Sequence, residues 1–180
     1  MLQAARRWGG GEPTDPARLE EVRRKLLQVR ASRPQPSRDE KVVVGWNALA
    51  VAALAELGVA ASGPRYLEAA VQAGQLLRSV GSAPDGRLKH VIEGGEARFR
   101  ASLEDLAASG LAGLVLHEAT GEAEWFDWAL QLAEEAEADH SDPATELWFD
   151  TAAGHDPLLT ARPMGLEDGA QRSGLSLMVE

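Results

Sequence analysis

Val42-Val-Val-Gly-Trp-Asn-Ala-Leu-Ala-Val-Ala-Ala-Leu-Ala-Glu-Leu-Gly-Val-Ala60 is the most apolar stretch of the chain. Nineteen residues of helix make about five turns. Ala, its commonest residue, and Leu are strong helix formers. The stretch is apolar nearly all round, so it reads as a buried helix rather than a surface one. Asn47 and Glu56 interrupt it, and its side chains are small, which argues against a membrane span.

Outward from this helix the chain alternates between helices and breaks. Ser62-Gly63-Pro64 is a turn. Tyr66, Leu67, Ala70, Val71, Ala73, Leu76 and Leu77 then mark an amphipathic helix to about Val80. Gly81 and Pro84-Asp85-Gly86 break it. Short extended pieces are expected around Leu88, Val91 and Phe99, with Gly94-Gly95 as the turn between them. Ser102-Leu103-Glu104-Asp105 has the pattern of a capping box, with a hydroxyl at the N-cap and a carboxylate three residues on. That helix runs to Thr120, Gly121 turns the chain, and Trp125, Phe126, Trp128, Ala129 and Leu132 open another that ends near Asp139. Residues 140–163 read as loop with a short strand at Leu147-Trp148-Phe149, and a further helix begins near Ser173. On the N-terminal side, Asp15-Pro16 is a helix start with Asp as N-cap. Leu19, Val22, Leu26, Leu27 and Val29 carry that helix to about Arg30, and Pro34 and Pro36 end it. The Gly9-Gly10-Gly11 run makes residues 1–15 a loose segment, leaving 16–180 as the folded domain.

Two segments repeat at a spacing of 59 residues: Tyr66-Leu67-Glu68-Ala69-Ala70 and Trp125-Phe126-Asp127-Trp128-Ala129. Each follows a Gly-containing turn, and each turn follows a long apolar helix. The unit is buried helix, tight turn, amphipathic helix, long loop. One such hairpin cannot bury its apolar face alone, so units must stack. Short turns and long loops alternate, so the loops gather at one end, where a pocket forms. The expected fold is all-α, with antiparallel helical hairpins and short strands in the long loops.

Composition bounds the chemistry. The net charge is −10, from 28 acidic and 18 basic residues, which disfavours nucleic-acid binding. There is no cysteine, so disulfides, thiol catalysis and thiolate metal sites are excluded. His90, His117, His140 and His155 share no metal-ligand spacing, so neither a metal nor another cofactor is expected. No apolar targeting segment is visible, and a cytoplasmic protein without membrane contact is expected.

Several motifs, taken in order, resemble one family. They are Arg33-Pro34-Gln35-Pro36-Ser37-Arg38-Asp39-Glu40-Lys41-Val42, Gly45-Trp46-Asn47-Ala48-Leu49, Arg65-Tyr66-Leu67-Glu68-Ala69-Ala70 and Asp85-Gly86-Arg87-Leu88. Leu103-Glu104-Asp105, Trp148-Phe149-Asp150-Thr151 and Arg162-Pro163 through Asp168-Gly169-Ala170 to Ser173-Gly174 continue the match. The family is that of the spermatogenesis-associated, YyaL-type proteins with a thioredoxin-like domain. The resemblance implies a section of the (α/α)6 toroid that follows that domain, a toroid similar to six-hairpin glycosidases and N-acylglucosamine epimerases. Nothing here resembles the thioredoxin-like domain. The chain also departs from the family pattern. Asp39-Glu40 replaces two Asp, Ala48 replaces Gly, Leu106 replaces Tyr, and Leu175 replaces Asn.

Two functional readings stay open. In the first, an isolated part of a ring is a non-catalytic or degenerate module. Its exposed helix faces are covered by self-association or a partner chain, and its link to carbohydrate metabolism exists only at the family level. In the second, the rim binds or processes a sugar or other small polar ligand. Asp39, Glu40, Glu104 and Asp105 are then the catalytic carboxylates, one donating a proton and another activating water. Trp46 and Asn47, with Asp150 and Asp168 in the loops, are the substrate-binding candidates. Against the second reading, acidic residues favour helix N-termini for capping alone, and a Trp within an apolar helix ordinarily fills a core.

Overall fold

The computed structural model describes residues 15–154 and 160–179. The chain divides into two units, with the boundary between Asp39 and Glu40. In the first unit, α1 (Pro16–Ala31) starts as expected: Asp15 is its N-cap and accepts from Ala17 N–H, with Pro16 next in line. Every residue of α1 is exposed, Leu26 and Leu27 among them.

The second unit is built from two helical hairpins and one further short helix. After β1 (Val42–Val43) come α2 (Val44–Ala60) and α3 (Pro64–Val80). Strands β2 (Lys89–Glu93) and β3 (Glu96–Arg100) follow, then α4 (Leu103–Thr120) and α5 (Ala123–His140). The short β4 (Ser141–Asp142), β5 (Leu147–Trp148) and α6 (Gly174–Met178) complete it. The repeat is therefore real in three dimensions: α2 and α4 begin 59 residues apart, and so do α3 and α5. Tight turns close both hairpins. Gly121 closes the second with φ 75°, a left-handed conformation natural to glycine at a helix C-terminus.

Packing follows the repeat. α2 packs on α3 and on α4, α4 on α5, and α6 on α4, so α2, α4 and α6 form one row. α4 lies at the centre of that row and buries Leu103, Leu106, Ala108, Ala112 and Leu116. The outer α3 buries Ala70, Gly74 and Leu77, the 4-and-3 spacing of one helical face. Trp125 and Trp128 of α5 pack edge to face at 6.1 Å between ring centroids and close the core against α4. Rings in that arrangement add about 0.5–1.5 kcal/mol beyond the area they bury.

Two expectations need correction. The apolar stretch at 42–60 is not wholly helix: Val42 and Val43 form a strand that pairs antiparallel with Ile92 and Val91. Nor is α2 buried all round. One face is covered, through Val44, Ala48, Val51, Ala52 and Ala55, while Trp46, Leu57 and Val59 stay exposed. Apolar residues all round a helix show that both faces tolerate burial, not that both are covered. The mixed-in sheet is small, with β1, β2 and β3 antiparallel in that order and β4 paired with β5. The protein is mostly helical with short loop-borne strands.

Candidate functional site

The N-termini of α2, α4 and α6 lie side by side, and Asp105 shows how. It is the third residue of α4, almost wholly buried, and the reciprocal half of the capping box with Ser102. Its Oδ2 accepts from the Ser102 N–H at 2.8 Å and from the Ser102 hydroxyl at 2.7 Å. Its Oδ1 reaches across to α2 and accepts the Gly45 N–H at 2.9 Å. A Cβ on Gly45 would lie 2.9 Å from that same oxygen, so this approach of the two helices needs glycine. α6 comes as near on the other side, where a Cβ on Gly174 would lie 2.8 Å from the Glu104 nitrogen. The first turns of three helices thus share one end of the row, and Asp105 and Asp150 supply the acceptors for N–H groups of α2 and α4 there.

β2 adds His90. Its Nδ1 lies 2.8 Å from Asp105 Oδ2, and its side chain is 43% exposed. Glu104 stands next to Asp105. Burial, then the negative charges of Asp105 and Asp150, push its carboxyl above the usual range, and the neighbouring His90 pulls the other way. Its buried Oε1 has no hydrogen-bond partner. Asp150 is brought to this end by its backbone: its carbonyl accepts the Leu103 N–H at 3.0 Å, and its own N–H donates to Pro163 at 2.9 Å. Arg162 holds this loop in place. Its guanidinium donates to the Thr151 and Asp139 carbonyls and lies 4.0 Å from the Phe149 ring centroid.

The expected site residues are therefore distributed unevenly. Glu104, Asp105 and Asp150 come together, with His90 among them. Trp46 and Asn47 sit beside Gly45 on the first turn of α2. Trp46 is 57% exposed and thus not a core filler, and the Asn47 amide donates back to the Val43 carbonyl at 2.8 Å. Asp168 is at the surface, where it accepts the Ser173 N–H at 2.9 Å ahead of α6. That bond and the Ser176 hydroxyl hold its carboxyl below the usual range. Glu40 is exposed ahead of β1, and Asp39 ends the other unit. His155 lies outside the described residues. Among the described residues, no group of three or more His, Asp or Glu converges as metal ligands would. No helix there is long and apolar enough to cross a membrane.

Sequence reasoning weighed His90 only as a metal ligand. Its link to Asp105 depends on the β2–β3 hairpin folding back over 15 residues, and no local pattern announces that.

The chain is similar in fold to parts of two solved α/α toroid structures. The glycoside hydrolase family 76 mannosidase of Bacteroides thetaiotaomicron superposes with a TM-score of 0.57 at 19% identity, over 68% of this chain and 34% of that one. The cellobiose 2-epimerase of Spirochaeta thermophila gives 0.57 at 18% identity, over 87% of this chain and 46% of that one. No protein-family model matches the chain. Its sequence is nonetheless similar to spermatogenesis-associated protein 20. Identity to the human protein is 30% over 143 residues, covering 72% of this chain and 17% of that protein. Identity to the mouse protein is 30% over 162 residues, covering 85% and 20%. The resemblance to the spermatogenesis-associated family read from the ordered motifs is borne out over most of the chain. The chain spans about a fifth of the length of the curated relatives it matches.

Proposed function

We propose that the chain is a section of an (α/α)6 toroid and that the end where α2, α4 and α6 begin binds a carbohydrate or a similar polyhydroxylated ligand. The observation that carries this reading is the gathering of three helix N-termini around Glu104, with His90, Asp105 and Asp150 beside it and Trp46 exposed next door. An exposed indole offers an apolar face for a sugar ring, and the polar groups at the start of α4 offer hydrogen bonds to hydroxyls. A carboxyl that holds its proton longer than usual suits a general acid, and Glu104 is the residue so placed. Asp105 has another task, since its oxygens are already engaged by α2, Ser102 and His90. Asp39 and Glu40 rest on the motif resemblance alone, and Asp168 sets up the start of α6.

A thermal melt with mono- and disaccharides and N-acyl sugars tests it. A ligand at about 100 times its dissociation constant, bound only to the folded state, stabilises by about 2.7 kcal/mol. In a chain of this size that raises the midpoint by about 5–10 °C. Trp46→Ala and Glu104→Gln should remove the shift while leaving a cooperative transition. A melt that no sugar moves would rule the reading out.

A second reading, the non-catalytic interaction module, has its own observation. Leu106, Leu111, Leu114, Phe126, Leu130 and Met178 line an apolar groove of about 240 Å³ bounded by α4, α5 and α6. Exposed apolar surface of this kind favours association, and a further amphipathic helical hairpin would cover it in the way α4 and α5 cover α2 and α3. A chain that sediments as a monomer at every concentration would count against this module.

A further inference from the structure

A helix cap does not require a histidine. The capping box of α4 is complete with Ser102 and Asp105, and the bond to Gly45 joins α2 to it. His90 is additional. It sits on β2 between Lys89, paired with Arg100, and Val91, paired with Val43 on one side and Arg98 on the other, so its backbone is fixed in a sheet. Its ring meets a carboxylate that is 2% exposed, while the ring itself is 43% exposed. An ionised carboxylate only accepts hydrogen bonds. At 2.8 Å, Asp105 Oδ2 therefore selects the tautomer with the proton on Nδ1 and leaves the lone pair on Nε2. The result is an imidazole on a rigid strand, oriented by a buried carboxylate and open to solvent. Glu104, with its unpartnered buried oxygen, lies close enough for His90 to pull its carboxyl down against the effect of burial.

We propose that His90 is the proton-transfer group of this rim, that Asp105 is its positioning residue, and that the group it acts on is a hydroxyl of the polyhydroxylated ligand. This rests on the carbohydrate reading given above. In the step, a ligand hydroxyl first donates a hydrogen bond to Nε2. Its proton then crosses: the O–H bond breaks, Nε2–H forms, and the electron pair stays on the ligand oxygen. The imidazolium so formed is balanced by the Asp105 carboxylate.

The test uses the intact chain, with cellobiose and N-acetylglucosamine as probes. Long-range nitrogen–proton NMR reads the tautomer of His90, and diethyl pyrocarbonate followed by peptide mass spectrometry reads the reactivity of each histidine. The expected result is a single tautomer with unprotonated Nε2, together with carbethoxylation of His90 that a melt-raising probe slows. With that probe at about ten times its dissociation constant the slowing is about tenfold. Asp105→Asn should lose the tautomer preference, and because that variant can fail to fold, the tautomer in the unmodified chain is the deciding measurement. A mixture of tautomers, or a proton on Nε2, overturns the dyad whatever binds. A probe that raises the melt without protecting His90 overturns the assignment and leaves the carbohydrate reading standing. If neither probe raises the melt, both fail together.

Discussion

Asp105 Oδ1 lies 2.9 Å from the backbone nitrogen of Gly45, a bond that spans 60 positions of sequence and joins the first turns of α4 and α2. The same carboxylate holds Ser102 and His90, so one side chain ties together two helices and a strand. Replacing it by alanine strands the Gly45 and Ser102 N–H groups in a buried place. Asp105→Ala is expected to cost about 2–4 kcal/mol, read from urea midpoints. Ser102→Ala, which removes only the cap, should cost about 1 kcal/mol. An Asp105→Ala variant within about 0.5 kcal/mol of the unmodified chain would show that the bond matters little.

Glu104 predicts a pH-dependent effect of opposite sign. Burial raises its folded-state carboxyl above 4.5, so from about pH 4.5 up to the raised value the folded chain holds more proton than the unfolded one. Its contribution to stability therefore falls as pH rises through that window. Glu104→Gln should be more stable than the unmodified chain near pH 7, with the advantage gone near pH 4. A Gln variant that is less stable near pH 7 would mean that the ionised carboxylate has a partner in solution.

His140 works in the other direction. Its ring is buried at the end of α5 with Nδ1 2.9 Å from the Phe149 carbonyl, and burial lowers its folded-state value below 6.5. As pH falls below about 6.5, the unfolded chain gains the proton first and stability drops. His140→Gln should flatten that part of the profile. Urea midpoints above and below pH 6.5 for both proteins would show it, and parallel profiles would contradict it.

The hairpin α4–α5 depends on a close approach at Gly113, where a Cβ would lie 2.9 Å from the Trp125 carbonyl oxygen. Backbone cannot give way as a side-chain tip can. Gly113→Ala is expected to cost about 1–3 kcal/mol by overpacking, despite the better helix propensity of alanine. Gly110→Ala meets nothing within 4 Å and should be neutral to stabilising. Thermal midpoints of the pair separate packing from propensity.

Much of the fold was legible because its signals are local. The Asp15 cap, the Ser102–Asp105 capping box and the 59-residue repeat all appear where expected. What the sequence concealed depends on distant partners. Val42 and Val43 continue an apolar run, yet they become a strand because Val91 and Ile92 lie opposite. Trp46 shares that run and remains exposed, because no element of the second unit covers its face of α2. The candidate site divides in the same way. Glu104 and Asp105 were visible as a helix start, whereas His90 joins them only through the β2–β3 hairpin.

The central claim is that the end where α2, α4 and α6 begin binds a polyhydroxylated ligand. The most direct measurement is a nitrogen–proton NMR titration of the labelled chain with cellobiose and with N-acetylglucosamine. The expected shifts concentrate at the Trp46 indole, Gly45, Asn47, His90 and residues 102–105 and saturate with ligand. Shifts confined to the groove lined by Leu111, Leu114 and Met178, or no saturable shift with either sugar, would contradict it.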